Sequence, residues 1–284
     1  YCTRTHDSLK ISNGKWIWWS RGIGGRSALD YLIKVKGYSF LEAVETIIGH
    51  TAIQAPVYEK PKPKEENKPL LLPEKCASNR VITEYLFGRG IDFEIINYCI
   101  SNDLIFESLP YHNVVFVGYD EKKEPKYAAY RSTNKRRIMG DCSGSKKDYS
   151  FRLGKENLEE VHLFECAIDL LSYATLAKLN GQDWKEMSFV SLSGVYSPAK
   201  KIEDSKVPIA LEKYLGSNPS VRKIRIHFDN DIAGRKAAQT LKTILPDKYE
   251  IVDEPPKAGK DFNDFLCMRM GIYNKKTHER NEER

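Results

Sequence analysis

Four short apolar runs, each followed by a stretch with helical spacing, constrain the C-terminal half more tightly than any other feature of the sequence. Residues 161–164, 188–192, 223–228 and 249–252 have the length and composition of strands. Apolar residues recur at helical spacing over 168–179, 209–215, 233–245 and 263–270, and Pro246 stops the third of these stretches. Strand–helix alternation of this kind predicts α/β architecture, a mainly parallel sheet with helices on both faces. Ligands of such sheets bind beyond the carboxyl ends of the strands.

Acids stand at three of those ends. Glu165 follows the first strand directly, Asp229 and Asp231 follow the third, and Asp261 and Asp264 follow the fourth. Each acid taken alone caps a helix start and complements its dipole. Gathered at one sheet edge they would repel one another without a cation. Hard oxygen ligands with room for water and phosphate suit Mg²⁺, or Mn²⁺ in its place.

These residues also carry a family resemblance. The run Phe164-Glu165-Cys166-Ala167-Ile168-Asp169 resembles the first Toprim motif, and Phe228-Asp229-Asn230-Asp231-Ile232-Ala233-Gly234 resembles the second. Ser191-Leu192-Ser193-Gly194 resembles the strand between them, and Lys260-Asp261-Phe262-Asn263-Asp264 resembles the downstream acidic element of bacterial primases. Cys166 stands where primases usually carry glycine, which is a feature of a divergent Toprim branch on mobile elements. The resemblance implies a Rossmann-like Toprim domain with Glu165, Asp229 and Asp231 catalytic. Those three, with Asp261 and Asp264, would be its metal ligands, and Asp169 would orient the loop. A haloacid dehalogenase-type phosphatase is a poor fit, because the interval from Asp229 to Asp261 is too short and Glu165 would have no role. A calcium loop opening at Asp229 fails at Ala233 and Thr240.

The remainder divides by composition. Residues 1–52 carry the run Lys15-Trp16-Ile17-Trp18-Trp19-Ser20, then Gly22-Ile23-Gly24-Gly25, then two helical patterns. Ser39 and Glu42 read as a capping box. The tryptophans are either a small core or a platform for bases, and Gly24-Gly25 either permits a tight turn or approaches a phosphate. By resemblance, 1–52 is a small zinc-ribbon-like primase domain without its zinc ligands. Cys2 and His6 supply only two of the four that a structural zinc needs, so no zinc is expected. Prolines alternating with Lys and Glu make 53–75 a linker. Residues 76–157 read as an α+β domain, with helices over 79–88 and 92–99 and strands over 113–118 and 126–131. By resemblance it is the uncharacterised domain that precedes Toprim on this branch. The Toprim-like domain spans 158–271, and 272–284 is a charged tail.

The densest basic stretch runs from Arg131 through Lys135-Arg136-Arg137 to Lys146-Lys147. Arg131, Arg136, Lys146 and Lys260 are the candidates for contact with nucleic acid or nucleotide, and any single one could equally be a solvated side chain. His227 is either a proton carrier or a buried strand residue. A net charge of +6, from 45 basic and 39 acidic residues, is compatible with a polyanionic partner. The six cysteines form no C-x-x-C pair and fit a reducing, cytoplasmic setting. No apolar run is long enough to span a membrane, and the sequence begins at Tyr1 rather than Met, as a piece of a longer chain does.

The functional expectation is a Mg²⁺-dependent, primase-like nucleotidyltransferase using single-stranded DNA and NTPs, serving replication or transfer of a plasmid or other mobile element. A helicase or relaxase is the partner class such a reaction implies. A Toprim nuclease and a non-catalytic DNA-binding protein with a vestigial site are the alternatives.

Overall fold

The computed structural model describes residues 8–51, 68–134, 138–194, 196, 198–199 and 202–272. The chain divides into two compact units, Tyr1–Glu66 and Asn67–Arg284.

In the first unit, β1 (Leu9–Ser12), β2 (Lys15–Trp18) and β3 (Ile23–Gly25) form an antiparallel sheet in that order. Asn13 and Gly14 both take positive φ, 48° and 72°, as a two-residue hairpin turn requires. Strand alternation then turns Trp16 and Trp18 inward beside Leu9, against Tyr31 and Val35 of the following helix region. Two of the three tryptophans are therefore core, whereas Trp19 is 65% exposed. Helix α1 (Ala28–Lys34) is capped by Ser27, whose hydroxyl accepts from the Asp30 N–H. Helix α2 (Phe40–Thr51) starts on the expected capping box, with Ser39 N–H donating to Glu42 at 2.8 Å and Glu42 N–H to Ser39 Oγ at 3.3 Å.

Gly25, in β3, packs directly against the Trp16 indole and Asp30. A Cβ there would lie 2.6 Å from Trp16 Nε1 and 2.7 Å from the Asp30 Cβ. Gly25→Ala is expected to destabilise this unit by about 1–3 kcal/mol through overpacking. Tryptophan emission during urea unfolding would report it, and an unchanged transition would contradict the packing.

The second unit begins with residues 68–76, which do not behave as a free linker. Leu71 N–H donates to Ser143 O at 2.9 Å, Cys76 N–H donates to Glu107 O at 2.8 Å, and Lys75 bridges Ser108. Leu70 also adds an apolar side chain to the small core under the sheet. Residues 52–67, the greater part of the expected linker, lie outside the described residues.

Helices α3 (Arg80–Phe87) and α4 (Phe93–Ser101) follow, then the antiparallel sheet β4 (Ile105–Glu107), β5 (Val114–Tyr119), β6 (Pro125–Arg131) and β7 (Met139–Asp141). The other sheet of this unit runs, in spatial order, Glu250–Asp253, Lys223–Ile226, Glu160–Phe164, Ser188–Ser191 and Arg152–Gly154. Its parallel strands are β9 (Glu160–Phe164), β10 (Ser188–Ser191), β11 (Lys223–Ile226) and β12 (Glu250–Asp253), and β8 (Arg152–Gly154) closes one edge antiparallel.

Helices cover both faces of this sheet. Val161 and Leu163 of β9 face a core shared with α6 (Ile209–Ser217) and α7 (Ile232–Ile244). Phe164 faces the other core, with α5 (Ala167–Leu179), α8 (Phe262–Arg269), α3 and α4. Helix α5 lies between the sheet and α4, so ten of its thirteen residues are buried. Burial on two sides explains why α5 shows no amphipathic stripe. No helix among the described residues is long and apolar enough to cross a membrane.

Candidate active site

The parallel register brings the carboxyl ends of β9 and β11 side by side, with Leu163 opposite Ile226. Glu165, just past β9, is buried and 5% exposed. Its Oε1 accepts the Asp229 N–H at 3.1 Å, which ties one acidic turn to the other. Asp231 is the N-cap of α7 and accepts from Gly234 N–H at 2.9 Å. Arg235, one turn into α7, donates to the carbonyls of Phe228 and Asp229 and to Asp253 Oδ1 at 2.6 Å. It fixes the path of the Asp229 loop. Its place in the sequence, on an ordinary helical surface, gives no sign of this.

Gly234 is small for a reason. A Cβ there would stand 2.2 Å from Asp229 O and 2.9 Å from Glu165 Oε1. The second acidic motif thus needs glycine so that α7 can start directly against the first motif.

Lys260 sits over the acids. Its ammonium lies 3.1 Å from Asp229 Oδ2 and 3.3 Å from Asp231 Oδ2. It bridges the two carboxylates, and its hydrogen bonds to them push its pKa above the ordinary lysine value. The Lys260 carbonyl also accepts Asn230 N–H at 2.7 Å, anchoring the loop before α8 to the Asp229 turn. Since one cation reaches both oxygens, the donor set fits a single bound metal ion.

Asp261 is the N-cap of α8, accepting Asp264 N–H at 2.7 Å, and Asp264 in turn accepts Lys260 N–H at 3.3 Å. Both are therefore engaged in capping the turn. Burial pushes the Asp261 carboxyl upward. Asp169 is buried, accepts from Cys166 Sγ at 2.9 Å and Asn263 N–H at 3.2 Å, and is likewise raised by burial. It joins α5 to α8 beneath the loop.

Burial, with Asp229 beside it, pushes Glu165 up to about 7. In the metal-free fold this carboxyl holds its proton well above its ordinary value of 4.5. Its stabilising contribution is full below the unfolded value and is lost as pH rises through about 7. In EDTA, wild-type Tm is therefore expected to fall between about pH 5 and pH 8. Glu165→Gln should remove that part of the fall, and equal slopes for both proteins would refute the assignment.

The basic candidates divide. Arg131, on β6, is half-buried and donates to Tyr85 OH at 3.2 Å. Lys146 is exposed, and Arg136 lies outside the described residues. Lys147, which was not among the candidates, pairs with Asp141 at 3.1 Å and reaches Ser193 O at 3.4 Å. The next residue, Gly194, donates its N–H to Glu165 O at 2.9 Å, so Lys147 touches the loop that borders the acids. His227 is buried and pairs with His162 at 2.8 Å behind the sheet edge, which is the strand-residue reading. Cys2 and His6 lie outside the described residues.

Residues 162–266, a span containing all five acids, match the Toprim-like family. The chain therefore carries a Toprim-like domain. It is preceded by a domain over residues 84–157 that matches the family described as protein of unknown function DUF3991. A curated relative is the uncharacterized protein pXO2-78 of Bacillus anthracis, 25% identical over 308 residues that cover 95% of this chain and 81% of that protein. Among solved structures, the chain is similar to the primase fragment of the bacteriophage T7 primase-helicase protein, at 16% identity, TM-score 0.46, covering 94% of this chain and 90% of that one. It is also similar to the Aquifex aeolicus primase (zinc binding and RNA polymerase domains), at 16% identity, TM-score 0.42, covering 93% and 73%.

Proposed function

We propose that the chain is a Mg²⁺-dependent, primase-like nucleotidyltransferase that joins NTPs on a single-stranded DNA template, in replication or transfer of a mobile element. The observation that carries this reading is the pair Asp229 and Asp231 sharing one cation beside buried Glu165, within a Toprim-like domain. Two carboxylates and one ammonium leave a net charge of −1 there before Glu165 is counted. A divalent ion replacing the lysine would balance the site.

Asp229 and Asp231 would hold Mg²⁺, with Asp261 or Asp264 supporting a second ion. The bound ion would supply charge neutralisation for the transferring phosphoryl group. Glu165, buried beside the Asp229 turn, would act as a further metal ligand or as the general base for the attacking hydroxyl. Lys260, released from the acids, has a long exposed side chain free to turn toward a triphosphate. Arg131, Arg136, Lys146 and Lys147 would track the template backbone, which makes binding strongly salt-dependent.

The test is single-stranded DNA, NTPs and Mg²⁺ with the full chain. Template-dependent oligonucleotides that need Mg²⁺ are the expected product. Cleavage of labelled DNA without synthesis would replace this reading with a nuclease. Neither product, with no Mg²⁺ or Mn²⁺ bound, would make the site vestigial.

A further inference from the structure

We propose that Cys76, Glu107 and His112 form a separate cation site that takes Zn²⁺ or a comparably soft divalent ion, with a fourth position left open. One ligand atom from each lies within 4.8 Å of the other two, and the described residues contain no second such triad. The site does not depend on the nucleotidyltransferase reading.

Two pieces of chain bring the three residues together: the segment ending at Cys76, and the end of β4 with the connection after it, which carries Glu107 and His112. Cys76 ends the segment that runs onto the antiparallel sheet, and its N–H donates to Glu107 O at 2.8 Å. Glu107 is the last residue of β4 and only 2% exposed. One carboxylate oxygen is already used, accepting Val81 N–H at 2.9 Å and Ile82 N–H at 3.2 Å at the start of α3. That leaves Oε1, which faces His112 Nδ1 at 2.6 Å.

His112 lies in the β4–β5 connection at φ +53°, a conformation uncommon for a residue with a side chain. His112 N–H donates to Ser108 O at 2.8 Å, and Thr133 Oγ1 donates to His112 O at 3.0 Å, which fix the backbone there. An ion pair between Glu107 and His112 accounts for two of the three groups. It does not account for a free thiol converging on the same point.

The donor set selects the metal. Thiolate, imidazole and carboxylate together suit Zn²⁺, whereas Mg²⁺ prefers oxygen alone. Zinc bonds of about 2.0–2.3 Å in a tetrahedron separate neighbouring ligand atoms by about 3.3–3.7 Å. The His112 ring would retreat by about 0.7 Å to meet that geometry, and it is 45% exposed on its side chain, so it has room. Binding displaces the Cys76 thiol proton and the proton shared by His112 and Glu107, both of which pass to solvent. The bound ion would staple the incoming segment to the sheet.

Titration of Co²⁺ into the full chain tests this. The expected result is a thiolate-to-cobalt charge-transfer band in the near ultraviolet with visible absorption of a tetrahedral ion, saturating at one equivalent. Zn²⁺ should displace it and excess Mg²⁺ should not. Cys76→Ser should abolish the charge-transfer band, and His112→Gln should weaken Co²⁺ binding at least about tenfold. Far-ultraviolet circular dichroism of both variants controls for folding. If Cys76→Ser does not fold, His112→Gln, at a half-exposed side chain, decides. No charge-transfer band in the wild type, or an equal band in Cys76→Ser, overturns the proposal.

Discussion

Asp229→Asn is expected to reduce Mg²⁺-dependent primer synthesis by at least about 10²-fold, the usual scale for losing one electrostatic contact to a developing phosphoryl charge. The substitution removes one of the two carboxylates that share the Lys260 ammonium. It leaves the Asp229 N–H, which donates to Glu165, in place. The fold and the position of Glu165 should therefore survive, and the defect should concentrate in the metal. Half-saturating Mg²⁺ should rise along with the fall in rate, and Tm in EDTA should hold or increase because one like charge near Glu165 is gone. Synthesis at the wild-type rate and the same Mg²⁺ dependence would remove Asp229 from the centre.

Gly234→Ala should do nearly as much damage by a different route. The added Cβ meets a backbone carbonyl, Asp229 O, at 2.2 Å and the buried carboxylate of Glu165 at 2.9 Å. Neither can retreat easily. Asp229 O is held by the Arg235 guanidinium at 3.2 Å, and Glu165 is packed behind it. The N-terminus of α7 must instead move away from β9, which costs about 1–3 kcal/mol of stability. For a unit of this size that is a fall in Tm of roughly 2–12 °C. Activity should fall further than stability explains, because the Asp231 cap and the Asp229 turn shift with the helix. A variant with wild-type Tm and wild-type activity would show that the two acidic motifs are less tightly apposed than the geometry states.

The contrast between the acidic sheet edge and the Cys76 triad shows what a sequence can disclose. Glu165, Asp229 and Asp231 were legible because they follow apolar strands closely, and a parallel sheet sends such positions to one edge; Asp261 and Asp264 come after a longer loop beyond the fourth strand and stood out by resemblance. The triad Cys76, Glu107 and His112 was not legible. Glu107 belongs to a strand of three residues, too short to stand out, and Cys76 lies at the end of a proline-rich run that reads as linker. Two segments, one ending at Cys76 and one running from Glu107 to His112, meet there through backbone pairing, which no local pattern encodes. The same holds for residues 68–76, whose composition suggests a free extended chain but whose peptide groups find partners on the sheet.

Local chemistry in the sequence was enough for the strand–helix alternation, the capping box at Ser39 and Glu42, and the acidic strand ends. Periodicity and capping act over a few residues, so these features needed no knowledge of neighbours. Tertiary structure alone decided the state of those acids. Lys260 and Asp231 are 29 positions apart (260 minus 231), yet their side chains form an ion pair at 3.3 Å. Glu165 is raised to about 7 because strand pairing buries it beside Asp229, 64 positions away. Charge interactions depend on separation in space and on how much water is excluded. Both are set by packing, and neither can be read along the chain.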